Sequence, residues 1–157
     1  MDLVSIIPFV PELAIHFERL NKAWLEQYFE VEPVDAEMLS NPQRYFIDKG
    51  GHIFFATING EIVGTFALLK IDTITFELSK MAVDPRFQGK KIGNEMMAYC
   101  IRKAYELKLK KIILYSNTRL QPAIHLYKKY GFVEIENETS IYKRSDIKMQ
   151  LILHPDE

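Results

Sequence analysis

The residues best suited to chemistry lie in one short run, Gln88-Gly89-Lys90-Lys91-Ile92-Gly93-Asn94. Glycines let a backbone approach a bound group closely. Free amide N–H groups at a helix start, with the macrodipole behind them, favour a bound anion. Lys90 and Lys91 add positive charge. The run therefore suits phosphate or pyrophosphate; an ordinary polar loop that caps a helix is the plainer alternative. It is not a P-loop, because Asn94-Glu95 follows the second glycine instead of Lys-Ser or Lys-Thr. Nor does it hold the Gly-x-Gly-x-x-Gly of dinucleotide-binding folds. The other reactive types are dispersed. His16, His52, His125 and His154 show no ligand spacing, so no metal site is expected. Cys100 falls on an apolar helical stripe and reads as core.

The elements that must position this run follow from periodicity. Residues 2–7 alternate loosely, as a first strand does. Leu13, Phe17, Leu20, Trp24 and Tyr28 recur at steps of three and four and mark an amphipathic helix with Pro11 in its first turn. A short helix over Val34–Leu39 ends at Asn41-Pro42. Ile53–Ile58 is strand-like, and Asn59-Gly60 signals a tight hairpin. The return strand spans about Glu61–Ile71, and a third strand spans Ile74–Val83. Ile92, Met96, Cys100, Ala104 and Leu107 define a long helix, and Lys111–Ser116 a buried strand. Strand, helix and strand in that order predict a crossover and a parallel pair. Pro122 opens a helix that Gly131 closes, and Phe132–Ile135 and Ile147–Leu153 are the final strands.

The third strand is irregular. Its apolar residues fall at Ile74, Phe76 and Leu78, then at Met81 and Val83. The period of two slips by one, which predicts a β-bulge near Ser79-Lys80. A strand buried on both faces is the competing explanation.

The stretch from Glu77 through Met81-Ala82-Val83 and Gln88 to Gly93 resembles the strand, loop and helix core of the GCN5-related N-acetyltransferases. Their loop pattern, Arg/Gln-x-x-Gly-x-Gly/Ala, is matched by Gln88 and Gly93, with Lys91 where a first glycine usually stands. Asn117 and the run Ala123-Ile-His-Leu-Tyr-Lys-Lys-Tyr-Gly-Phe132 are similar to the second family signature. The resemblance covers about Ile53–Ile135.

It implies one mixed α/β (α+β) domain over residues 1–157, with about seven strands, splayed middle strands and about four flanking helices. It implies acetyl-CoA as co-substrate, no metal, and a small-molecule primary amine as acceptor. The pantetheine arm would pair with the strand edge at Met81, Ala82 and Val83, like an added strand. Pyrophosphate would sit on the amides of Gln88, Gly89, Lys90, Lys91, Ile92, Gly93 and Asn94. Lys108, Lys110 and Lys111 form either a solvated turn or a contact to the cofactor's 3′-phosphate.

The chemistry needs a base for the acceptor, a donor for the oxyanion and an acid for the thiolate. Glu77 faces opposite Ile74, Phe76 and Leu78 and resembles the family's base; a solvent-exposed carboxylate is its plain reading. The backbone N–H of Met81 or Val83 is the oxyanion donor. Tyr127 matches the family's acid; a packed helix tyrosine is its plain reading. Asn117 would orient cofactor or substrate. Between Ala23 and Gln43 the charges are Glu26, Glu30, Glu32, Asp35 and Glu37, with no Lys or Arg. If that segment walls the acceptor pocket it attracts a cationic amine; otherwise it is a solvated acidic face.

The chain has 157 residues, 48% hydrophobic and 12% aromatic, enough for a core without disulfides. A net charge of -1 argues against a broad nucleic-acid footprint. The first residues lack a basic and apolar leader pattern, and no run has the length to span a bilayer. A cytoplasmic protein without membrane or nucleic-acid partners is the expectation, and homodimers are common on this scaffold. Two rival functions stay open: acetylation of a protein N-terminus or lysine, and non-catalytic sensing of acyl-CoA.

Overall fold

The computed structural model describes residues 3–137 and 144–155. It holds seven strands: β1 Val4–Pro8, β2 His52–Ile58, β3 Glu61–Lys70, β4 Thr75–Val83, β5 Lys111–Ser116, β6 Val133–Ile135 and β7 Ile147–Ile152. They form one sheet in the order β1-β2-β3-β4-β5-β7-β6. The helices are α1 Ala14–Tyr28, α2 Pro33–Ser40, α3 Ile92–Glu106 and α4 Gln121–Lys129. A 3₁₀ turn over Pro11–Leu13 precedes α1, and a π-helical turn over Gln43–Ile47 follows α2. This matches the expected class and element order, with ends shifted by one or two residues.

The helices cover both faces of the sheet. On one face α3 buries Ile92, Met96, Met97, Cys100 and Ala104 against Phe54 and Phe66. On the other α1 and α2 bury Phe17, Leu20, Leu25, Met38 and Leu39 against Ile53 and Phe55. Neighbours Phe54 and Phe55 thus serve opposite layers, as the strand period of two requires. Cys100 is fully buried, as its place on the stripe implied. Asn59 and Gly60 take φ of 50° and 81°, the values a type I′ hairpin needs.

The phase slip in β4 is a bulge. Thr65 pairs with Ala82 and Ala67 with Ser79, so Phe66 alone stands opposite Lys80 and Met81. Lys80 absorbs the extra residue with φ 56°. The bulge lies just beyond the point where β4 leaves its other neighbour. β4 and β5 run parallel, but pair only from Thr75↔Lys111 to Glu77↔Ile113. Past that rung β5 continues with β7 as far as Ser116↔Ile147. The edge of β4 from 78 to 83 is left without a β5 partner, and a cleft opens between the two strands.

Candidate active site

The fork between β4 and β5 opens into a cleft of about 260 Å³. Of the expected site residues it gathers Glu77, Met81, Ala82, Val83, Gln88, Gly93, Asn117 and Tyr127 into one lining. These come from β4, the loop and first turn of α3, the end of β5 and α4, so four separate segments converge. Gly89, Lys90, Lys91, Ile92 and Asn94 do not line it. Gly89, Lys90 and Lys91 are exposed on the connecting loop, Ile92 is packed in the core, and the Asn94 side chain accepts a hydrogen bond from Lys129 Nζ at 2.8 Å.

Glu77 sits at the last rung of the fork and is only 8% exposed. Burial pushes its carboxyl up to about 7, although Lys80, Lys148 and a Ser79 hydrogen bond pull it down. A carboxyl poised near neutrality suits proton transfer at neutral pH. Tyr127 packs its ring 6.0 Å from Phe132. Burial pushes its phenol up to about 12, so it remains a proton donor.

The loop into α3 is held by Asp84, whose Oδ1 accepts from the Arg86 amide at 3.0 Å and whose Oδ2 meets Arg19 Nη1 at 3.4 Å. Among the described residues no side chain caps the start of α3, so its first amides lack a partner of the helix type. Lys91, at the N-cap, takes φ 62°, the left-handed conformation that glycine adopts without strain. Where the family pattern has glycine, this chain thus holds a lysine in a conformation that glycine takes readily. Gly64 on β3 lets α3 lie close: a Cβ there would stand 3.2 Å from Ile92 Cγ2 and Met96 Sδ.

The acceptor side differs from the acidic wall the sequence suggested. None of Glu26, Glu30, Glu32, Asp35 or Glu37 lines the cleft. Asp35 is fully buried behind it and joins Lys80 Nζ at 3.1 Å and Arg144 Nη1 and Nη2 at 2.8 and 2.9 Å. Arg144 also reaches Glu32 Oε2 at 2.9 Å. Glu37 accepts from the Tyr45 hydroxyl at 2.9 Å. Asp35 and Glu32 are thus answered by cations from distant parts of the chain. Burial raises the Asp35 carboxyl, yet Arg144 and Lys80 together hold it below the usual range. Burial lowers the Lys80 ammonium to about 8 against the opposing pull of Asp35.

Lys80 and Arg144 both line the cleft. Sequence reading did not single them out. Lys80 had a signal, since it occupies the bulge; Arg144 had none nearby. Trp24 and Phe29 line the cleft, and Asn21 and Leu25 join them. Asn117 ties neighbouring segments together: its Nδ2 donates to the Arg144 carbonyl, and its Oδ1 accepts from the Arg119 amide at 2.8 Å. Arg119 Nη2 in turn donates to the Tyr28 carbonyl at 2.6 Å and ties the segment after β5 to the end of α1. His125 is exposed, and among the described residues no group of three His, Cys, Asp or Glu side chains is placed to hold a metal ion. Among the described residues no helix is long and apolar enough to cross a membrane.

This geometry has close structural relatives. An acetyltransferase of the GNAT family from Staphylococcus aureus Mu50 superposes with a TM-score of 0.85 at 21% identity, covering 97% of this chain and 100% of that one. An acetyltransferase from Streptococcus agalactiae 2603 gives 0.82 at 19% identity, over 96% and 98% of the two chains. A spermidine N-acetyltransferase from Vibrio cholerae, in complex with CoA and spermine, gives 0.72 at 21% identity, over 95% of each. No curated protein sequence matches the chain. The model of the acetyltransferase (GNAT) family matches residues 17–132. The matched segment carries the forked strands, the loop into α3 and the whole of α4. The chain therefore belongs to the GNAT family and is an acetyl-CoA-dependent N-acetyltransferase.

Proposed function

We propose that this enzyme acetylates a small primary amine by direct attack on acetyl-CoA, with Glu77 as base and Tyr127 as acid. The observation that carries the reading is the buried Glu77 carboxyl at the fork of β4 and β5, in one cleft with Tyr127. The amine arrives as an ammonium and gives a proton to Glu77, directly or through water. Its nitrogen then attacks the thioester carbonyl carbon. The oxyanion takes a hydrogen bond from the backbone N–H of Met81 or Val83. Collapse breaks the C–S bond and the nitrogen sheds its second proton. Tyr127 protonates the departing thiolate and regains a proton from the solvent side. The net products are an amide, free CoA and one proton.

On the cofactor side, the unpaired β4 edge would hold the pantetheine arm and the uncapped start of α3 the pyrophosphate. Gly93 lines the cleft there, where a Cβ would stand 3.4 Å from Leu126 Cδ2.

A small acceptor is favoured over a protein. Trp24 and Phe29 line the cleft and would wall an acceptor of limited size. The spermidine enzyme among the structural neighbours supports a small amine as substrate class. Free CoA released from acetyl-CoA across a panel of primary amines tests the reading. Turnover with small amines is expected. CoA binding without turnover of any amine would favour a sensor and overturn it.

A further inference from the structure

We propose that the acceptor end is a monoamine site that discriminates against diamines and polyamines, with Lys80 and Arg144 as the residues that set this specificity. The inference rests on the amine-acetyltransfer reading above and narrows its substrate class.

Three observations carry it. First, Glu77 is the one carboxylate among the described lining residues, and it is committed to the reacting nitrogen. A second ammonium on the acceptor would find no other carboxylate among those described residues to receive it. Second, the charge network at this end is ordered. Lys80 and Arg144 line the cleft, whereas their partners Asp35, fully buried, and Glu32, which meets Arg144, lie outside the lining. The cleft therefore meets the cationic side of the network. Third, Trp24, Leu25 and Phe29 give this wall a mainly apolar and aromatic surface, with the neutral amide of Asn21 beside them. Such a wall suits a neutral hydrocarbon or aromatic body. A polycation would place like charge against Lys80 and Arg144 while leaving its own shell of water, which is doubly unfavourable.

The test is acetyl-CoA turnover with hexylamine, hexamethylenediamine and spermidine. Hexylamine and hexamethylenediamine match in chain length and differ in the second charge. The wild type should favour hexylamine in kcat/KM by about tenfold or more. Arg144→Gln and Lys80→Asn each remove one cation, and Asn tolerates the left-handed backbone at the bulge. Either variant should narrow that gap at least about threefold. Equal or better turnover of the diamine by the wild type would overturn the proposal. So would a gap left unchanged in a variant that still acetylates hexylamine. Failure with every amine would instead sink the acetyltransfer reading itself.

Discussion

Glu77 and Ile113 form the last rung that joins β4 to β5. One residue further along, the strands part. The carboxylate thus stands where the sheet stops supplying its own backbone partners. Its burial and its place at the cleft have the same origin. It is buried, yet it lines the cleft.

That placement has a stability consequence. The folded carboxyl titrates near 7 and the unfolded one near 4.5. The native state therefore holds the proton more tightly, and this contribution is complete below about pH 4.5 and lost as pH rises through about 7. By linkage it is worth about 3 kcal/mol. Glu77→Gln should therefore be more stable than wild type at pH above 7, by about 1–3 kcal/mol in urea unfolding, and lose that advantage in mild acid. A variant less stable at every pH would contradict the assignment of a buried, proton-poised carboxyl.

Tyr127 offers a cleaner separation of packing from chemistry. Tyr127→Phe keeps the ring against Phe132 and removes only the hydroxyl. Its kcat should fall about a hundredfold, with KM for acetyl-CoA little changed and stability within about 0.5 kcal/mol. Because burial raises the phenol to about 12, the residue should add no limb to a pH profile near neutrality. Unchanged kcat would remove Tyr127 from the reaction.

The Lys91 backbone is a second point of leverage. A left-handed lysine costs about 1 kcal/mol relative to a relaxed one. Lys91→Gly should stabilise the fold by about 0.5 kcal/mol, and Lys91→Val should destabilise it by about 1–2 kcal/mol. Thermal melts of the two variants check the ordering. The reverse ordering would mean that the loop relaxes out of the observed conformation.

Asp35 holds α2, the bulge and the Arg144 segment at one point. Asp35→Ala would leave two cations without their buried counter-charge, at a cost of about 3–5 kcal/mol. In the wild type the carboxyl is held below its ordinary value, so its contribution is present above the unfolded pKa and lost as pH falls through the folded one. A loss under 1 kcal/mol in chemical denaturation, with Tm unmoved, would contradict the role of a central anchor.

Much of this arrangement was legible in the chain. The slip between Leu78 and Met81 identified the bulge, because a strand cannot change faces without an extra residue. The alternation of β4 placed Glu77 opposite the apolar residues. The glycine-lysine loop and the helix stripes located α3. What stayed hidden depends on long-range pairing. Asp35 finds Lys80 across 45 positions and Arg144 across 109, and no local pattern encodes either contact. The acidic stretch read as a free anionic surface for that reason. Asn117 similarly joins backbone segments that are adjacent only in the folded chain.

In the proposed reaction Glu77 takes the proton of the amine in a cleft loaded with acetyl-CoA. The most direct test of this step is the pH dependence of kcat/KM for a small primary amine, in wild type and Glu77→Gln. The wild type should show an acidic limb near 7, matching the carboxyl in the free enzyme. Glu77→Gln should lose that limb and fall at least about a hundredfold. A variant with wild-type kcat/KM and the same limb would contradict the account.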